Sequence, residues 1–306
     1  MNLFKGKNFD FVKNRKLFFI IAAFLILIGL ISILFQGFNF GIDFAGGTLL
    51  QIKFTESVST EVVRNVLADF NLGGSTIQHL GENEFVIRME KVDQESIRGI
   101  LASFRSKVAD LEVLREETVG PVIGESLKKM AIYALLIAFL GIILYITVRF
   151  EFKYSIVSIL ALFHDCLIVL GLFSLLQKEI TVSIIAAVLT IVGYSLNNSI
   201  IVLDRLRENI KLKTRDSFEN LINLSINQSL SRTINTSLTT ILPILALYFL
   251  GGNILSDFAL ALFVGMIAGT YSSIFLASPL LIEWNSIFKI RTGKTVNKIT
   301  KKNSKK

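Results

Sequence analysis

The chain has 306 residues, 52% of them hydrophobic and only 18% charged, with mean hydropathy +0.61 and a formal net charge of +8. That balance excludes an ordinary soluble domain and a disordered chain, and points to an integral membrane protein. The one cysteine, Cys166, lies inside an apolar run, which excludes an intrachain disulfide and reads as packing.

Taken in order, residues 1–16 carry five Lys or Arg and read as a cytoplasmic N-terminus. The run 17–36 is the first of six stretches of spanning length. Its apolar core is too long for a signal peptide and no small-residue cleavage site follows, so it reads as an uncleaved anchor. Residues 37–129 then form a small α+β segment on the far side of the membrane. A strand is predicted over 48–54. A helix follows from Ser59/Thr60 to Phe70, with Val62, Val63, Val66, Leu67 and Phe70 on one face. Strands near Ile77 and over 85–89, a helix over 94–108 and a strand over 111–119 complete the order βαββαβ, that of a ferredoxin-like fold. His79 reads as a surface residue. No Gly-rich phosphate loop, His/Cys metal spacing or nucleophile–base set is present, so neither metal, cofactor nor enzymatic activity is expected.

The remaining spans are predicted at 130–148, 154–176, 181–203, 233–250 and 258–282, with a cytoplasmic loop over 204–232 and a basic cytoplasmic tail over 283–306. Lys and Arg number two in 149–153, six in 204–232 and eight in 283–306, against one in 177–180. The ten in 37–129 sit in a long segment beside fourteen acidic residues and carry little weight. Both termini therefore read as cytoplasmic. The segment 37–129 and the turn Gly251-Gly252-Asn253 face outward. The tail from Lys289 to Lys306 reads as a contact for anionic lipid, and no nucleic acid is expected.

Polar residues inside the spans are the candidate site, because such groups are costly in lipid unless they face other helices or a wet cavity. In the fourth span, Thr190, Tyr194, Asn197 and Asn198 fall within about a quarter of the helix circumference. That face either lines a functional path or only glues the bundle. Asp165, near the middle of the third span, is expected to be protonated or paired, with Ser158 and Ala161 on its face and His164 pointing elsewhere. In the fifth span Arg232, Thr236, Thr239, Thr240 and Pro243 form one stripe, which favours an inward Arg232 over a snorkelling one. Asp257 stands at the outer boundary of the sixth span. Asp204, Arg205, Arg207 and Glu208 read as locally paired charges at the inner boundary. Gly265, Ala268, Gly269, Ser272 and Ser273 form a small-residue stripe that supports packing and no chemistry.

Several of these segments, in order and on matching spans, resemble the SecF family, the six-span subunits of the bacterial SecD–SecF protein-export machinery. The marks are Gly41, Asp43, Gly46 and Gly47 after the first span, Val119-Gly120-Pro121 before the second, and His164-Asp165 in the third. Gly193 to Asn197 running on to Asn209, Ser231 to Thr240, and Gly269 to Ser273 complete them. The resemblance implies an α-helical membrane protein forming half of an RND-type bundle, placed in the bacterial cytoplasmic membrane. It implies SecD as obligate partner, a larger complex with the SecYEG channel and the SecA motor, and preproteins as cargo pulled outward by the proton-motive force. It also implies that Arg232 is a functional intramembrane arginine and that Asp165, Asp257, Gly193 and Asn197 occupy motif positions. Where relatives commonly read Asn-Asp-Thr, this chain reads Asn197-Asn198-Ser199, so an amide replaces a carboxylate associated with proton conduction. The expectation is that Asn198 and Arg232 hydrogen-bond around a carboxylate of the partner, with Asp165 as a further relay candidate. Two other readings are an RND-like exporter of lipids or small amphiphiles and a non-conducting scaffold subunit.

Overall fold

A computed structural model describes residues 8–81, 83–150, 152–212 and 216–285. In chain order the elements are α1 (Arg15–Gln36), β1 (Asn39–Phe40), α2 (Ile42–Ala45), β2 (Gly47–Phe54), α3 (Thr60–Ala68), β3 (Thr76–Leu80), β4 (Glu84–Met89) and α4 (Gln94–Lys107). They continue with β5 (Leu111–Val119), α5 (Pro121–Arg149), α6 (Phe152–Leu175), β6 (Glu179–Ile180), α7 (Val182–Leu212), α8 (Phe218–Leu250) and α9 (Gly252–Ser272). After α9 the helix passes through a π-turn, Ser273–Ala277, and runs on to residue 285. Two compact units result. One holds the described residues of 39–134 and 179–182, and the other the remaining described residues.

The first is a sheet unit. Its four-stranded antiparallel sheet has the order β3-β4-β2-β5, which is the ferredoxin-like order expected from the sequence. Alternation along the strands sends Leu50, Ile52, Phe54, Phe85 and Ile87 into one core, where they meet Val63, Leu67, Ile100 and Phe104 from α3 and α4. Phe54 stands edge-on to both Phe85 and Phe104, with ring centroids 5.7 and 5.6 Å apart. Each helix starts on a side-chain cap. Ser59 accepts from the Val62 N–H at 3.4 Å, and Asp93 accepts from the Ser96 N–H at 2.9 Å. His79 is exposed and stacks on Phe85. A second, two-stranded sheet joins β1 in parallel to β6, the short strand that precedes α7.

The other unit is helical. Six helices are long and apolar enough to cross a membrane: Arg15–Gln36, Pro121–Arg149, Phe152–Leu175, Val182–Leu212, Phe218–Leu250 and Leu255–Asn285. Several outrun the apolar segments. Pro121 opens α5 nine residues before the predicted span, since proline suits the first helical position and Glu125 and Lys129 pair at 2.9 Å along the polar turns. Most of the segment expected as a loop over 204–232 is also helix. There α7 continues to Leu212 and α8 starts at Phe218, on a Ser217 cap. The cause is a polar seam: Asn209 donates to Ser225 and Gln228, both at 2.8 Å. The backbone ahead of α1 is held by α8 amides. Asn227 both accepts from the Phe9 N–H and donates to the Phe9 carbonyl, and Asn223 accepts from the Phe11 N–H. The turn expected at Gly251-Gly252-Asn253 is shorter, because α8 ends at Leu250 and α9 begins at Gly252. The tail from 286 onward, including the expected lipid contact, lies outside the described residues.

Helices α1 and α6 cross at Gly29 and Gly171, where a Cβ on Gly171 would come within 2.6 Å of the Gly29 Cα. Only glycine on both sides permits that approach. Ser32 and Ser174 exchange a 3.0 Å hydroxyl contact along the same seam.

Candidate functional site

Asp165 is fully enclosed at the junction of α6, α7 and the end of α9. Three side chains satisfy it. Ser195 on α7 donates to Oδ2 at 2.5 Å, Ser272 on α9 donates to the same oxygen at 2.9 Å, and the His164 Nδ1 lies 2.9 Å from Oδ1. The expectation that His164 points elsewhere is therefore corrected. Although neighbouring side chains leave a helix about 100° apart, this imidazole folds back onto the adjacent carboxylate and is itself 4% exposed. Its ring lies 6.0 Å from that of Tyr271, whose hydroxyl donates to the Phe18 carbonyl at 2.8 Å. A chain of polar contacts thus links α7, α6, α9 and α1. The small-residue stripe of the last span packs within the chain: Gly265 faces Ile191, and a Cβ on Gly269 would meet the Ser195 Cβ at 2.9 Å. That close approach sets α9, which carries Ser272, directly against the Ser195 face of α7. Ser272, read from sequence as packing, is thus a direct partner of the carboxylate; nothing in the local sequence signals it, since the pairing is tertiary.

The polar face of α7 divides. Thr190, Gly193 and Asn197, at three- and four-residue spacing, lie exposed on the surface of the chain. Tyr194 is half-buried with its hydroxyl enclosed, and Asn198 is completely buried. One residue of offset turns Asn198 inward, and among the described residues its amide makes no hydrogen bond. Arg232 is exposed, so it does not turn into this chain's own bundle as the stripe had suggested. Nor does the structure join it to Asn198. Thr236, Thr239 and Thr240 continue the stripe while bonding to carbonyls one turn back, Thr236 to Arg232 at 2.7 Å and Thr240 to Thr236 at 2.8 Å. Asp257 pairs with Lys178 at 2.7 Å. Arg205 pairs with Glu208 at 2.5 Å, and Asp204 faces Arg149 at 3.8 Å.

The motif after α1 builds a separate node inside the sheet unit. Gly46 and Gly47 have φ of +75° and +124°, values that side chains resist. A Cβ on Gly46 would meet the Pro121 Cα at 3.0 Å, and one on Gly47 would meet the Met89 carbonyl oxygen at 2.6 Å. Gly41 donates its N–H to the Ile180 carbonyl at 2.9 Å. The Asp43 carboxylate accepts from the Val182 N–H at 2.9 Å, and so caps α7 from far away in the sequence. Arg88 on β4 places Nη2 2.9 Å from the Glu179 carboxylate, and its Nη1 donates to the Asn39 side chain at 3.2 Å. Neither Arg88 nor Glu179 stood out in the sequence, where each is one charge among many.

Comparison with known proteins agrees with this architecture. Residues 100–286 match the family model described as "Protein export membrane protein SecD/SecF, C-terminal", and residues 31–58 match "SecD/SecF GG Motif", the glycine pair of the node. The chain is 43% identical to protein translocase subunit SecF of Desulfurispirillum indicum, over 90% of this chain and 91% of that one. It is 44% identical to SecF of Magnetococcus marinus, over 91% and 92%. The crystal structure of SecDF from Thermus thermophilus superposes with a TM-score of 0.86 at 42% identity, covering 92% of this chain and 39% of that chain. This chain therefore spans about two fifths of that longer protein. Its apolar helices, sheet unit and glycine node are those of a multi-pass export protein, and the chain belongs to the SecF family.

Proposed function

We propose that this chain works with a SecD-type subunit in the bacterial cytoplasmic membrane, both ends cytoplasmic and the sheet unit exported, using the proton-motive force in late steps of preprotein translocation. One observation carries the reading. Arg232 and Thr239 on α8, with the half-buried Thr236 between them, and Thr190, Gly193 and Asn197 on α7, are polar or small residues turned to the surface of a chain whose solvent is lipid. Arg232 stands at the inner end of the fifth span, and the threonine stripe that continues inward from it favours a polypeptide bringing a counter-charge over lipid headgroups alone. The Thermus relative named SecDF, in which the matching region is about two fifths of one longer chain, supports a SecD-type half as that polypeptide. Asp165, enclosed and gripped from two other helices, is the group within this chain suited to carry a proton. The SecYEG channel, the SecA motor and anionic lipid at the basic tail complete the proposed setting.

Because Asn198 is sealed inside the chain, a partner carboxylate meets Arg232 and the Asn197 face, and the expected Asn198–Arg232 bridge is set aside. The test is Arg232→Ala beside Arg232→Lys. The first should reduce gradient-dependent maturation of an exported reporter to background while the partner still co-purifies, and the second should retain part of it. Normal maturation with Arg232→Ala would favour the scaffold reading, which the amide at Asn198 supports. Accumulation of a lipid or small amphiphile with normal reporter maturation would favour an exporter.

A further inference from the structure

We infer that the Gly41–Gly47 turn, together with Arg88 and Glu179, is a joint that fastens the start of α7 to the sheet, so that a displacement of α7 is delivered to the sheet instead of being absorbed by a loop. The inference rests on the proposed gradient coupling and names the residues through which it would pass.

Residues 179–182 cluster with the sheet unit and lead without interruption into α7, the helix that carries Ser195, Asn197 and Asn198. Four independent attachments hold them there. Strand β6 pairs with β1, and the Ile180 carbonyl takes the Gly41 N–H. Asp43 caps Val182, where a carboxylate also meets the positive end of the helix dipole. Arg88, a central-sheet residue of β4, pairs with Glu179 while both are largely shielded, at 12% and 19% exposed. The same turn also seats the start of α5: Gly124 packs so tightly on it that a Cβ would lie 3.1 Å from the Phe44 carbonyl oxygen, and Pro121 abuts Gly46. A flexible linker has none of these features. Gly46 and Gly47 supply the positive φ that the turn needs, and the close packing of Gly46 on Pro121 and of Gly47 on the Met89 carbonyl holds the turn in place. A stiff element whose position both a helix and a sheet share is the kind of part that carries coupling.

Asp43, Arg88 and Glu179 are thus positioning residues. The experiment uses the full chain in its native complex. Arg88→Glu and Glu179→Arg should each lower the gradient-dependent part of reporter export by roughly 2- to 30-fold. The charge-swapped double variant should recover most of it. Asp43→Asn, which keeps an acceptor for the Val182 N–H, should be milder than Asp43→Leu. Hydrogen exchange of the 179–182 amides should quicken in the single variants and return toward the parent rate in the swap. A swap that exports no better than the single variants, or single variants that leave both export and exchange unchanged, would overturn the joint. Failure of the coupling reading is a separate result: collapse of the gradient leaves export by the unmodified protein unaltered. In that case the exchange measurement alone decides whether the joint exists.

Discussion

In the sheet unit the buried side chains are mostly those that water rejects, Leu50, Ile52, Phe54, Phe85, Ile87, Ile100 and Phe104, while carboxylates such as Asp93 sit outside at helix starts. In the helical unit much of the pattern is inverted. Ser155, Ser158, His164, Asp165, Ser195, Asn198, Ser199, Ser272 and Ser273 are inside, whereas Phe24, Leu34, Ile137, Leu140 and Phe249 face outward. The sheet is held by removing apolar surface from water. The helices gain little that way, because lipid is as apolar as leucine. They depend on close backbone approach and on hydrogen bonds that have no other partner nearby. Polar residues are therefore peripheral to stability in one unit and central to assembly in the other.

The comparison is broken most directly at Asp165. Replacement by Leu leaves the Ser195 hydroxyl without its acceptor, at about 1–3 kcal/mol, leaves Ser272 only the Gly269 carbonyl at 3.2 Å, and should reduce the amount of folded protein in the membrane. Asp165→Asn keeps an acceptor but cannot change charge. It should preserve assembly and abolish gradient-dependent export of the reporter. Wild-type export with the asparagine variant would make Asp165 a structural group only.

A second test exchanges apolar residues between the two settings. Phe104→Ala, from a fully buried site, should cost about 3–5 kcal/mol and unfold the sheet unit at lower denaturant. Leu140→Ala on the outward face of α5, where the side chain is 69% exposed, should cost under about 0.5 kcal/mol. Pulse proteolysis of the full chain across a urea series reads both. Equal costs would mean that the outward leucines are packed against protein.

These contrasts also explain what could be read in advance. The strands and helices of the sheet unit follow from alternation, three- and four-residue spacing and caps, all local properties, so their order and the ferredoxin-like pairing were legible. The spans were legible from apolar runs, but their helical extensions were not: Pro121 to Lys129 and Asp204 to Leu212 are polar, and their helicity rests on pairs and seams with other segments. Asp165 could be picked out as a buried charge, whereas its partners Ser195 and Ser272 come from two other helices and carry no signal of their own. The inward turn of Asn198 beside an exposed Asn197 is a matter of helix rotation, which periodicity constrains only to within about one residue.

The smallest effect belongs to Asp93, on the water-facing side of the comparison. Its hydrogen bonds from Ser96 hold the carboxyl below its ordinary value of 3.8. A group whose folded pKa is depressed contributes its full stabilisation above the unfolded pKa and loses it as pH falls through the folded value. The start of α4 should therefore be unaffected by pH between neutrality and about 5, and should loosen only in stronger acid. Asp93→Ala should remove that dependence and leave the first turn of α4 as frayed at pH 7 as the parent is in acid. Exchange of the Ser96 amide, followed from pH 7 to pH 3 and corrected for intrinsic rate, distinguishes the two. A parent whose protection is already lost at pH 5 would show that the cap is not what the carboxylate supplies there.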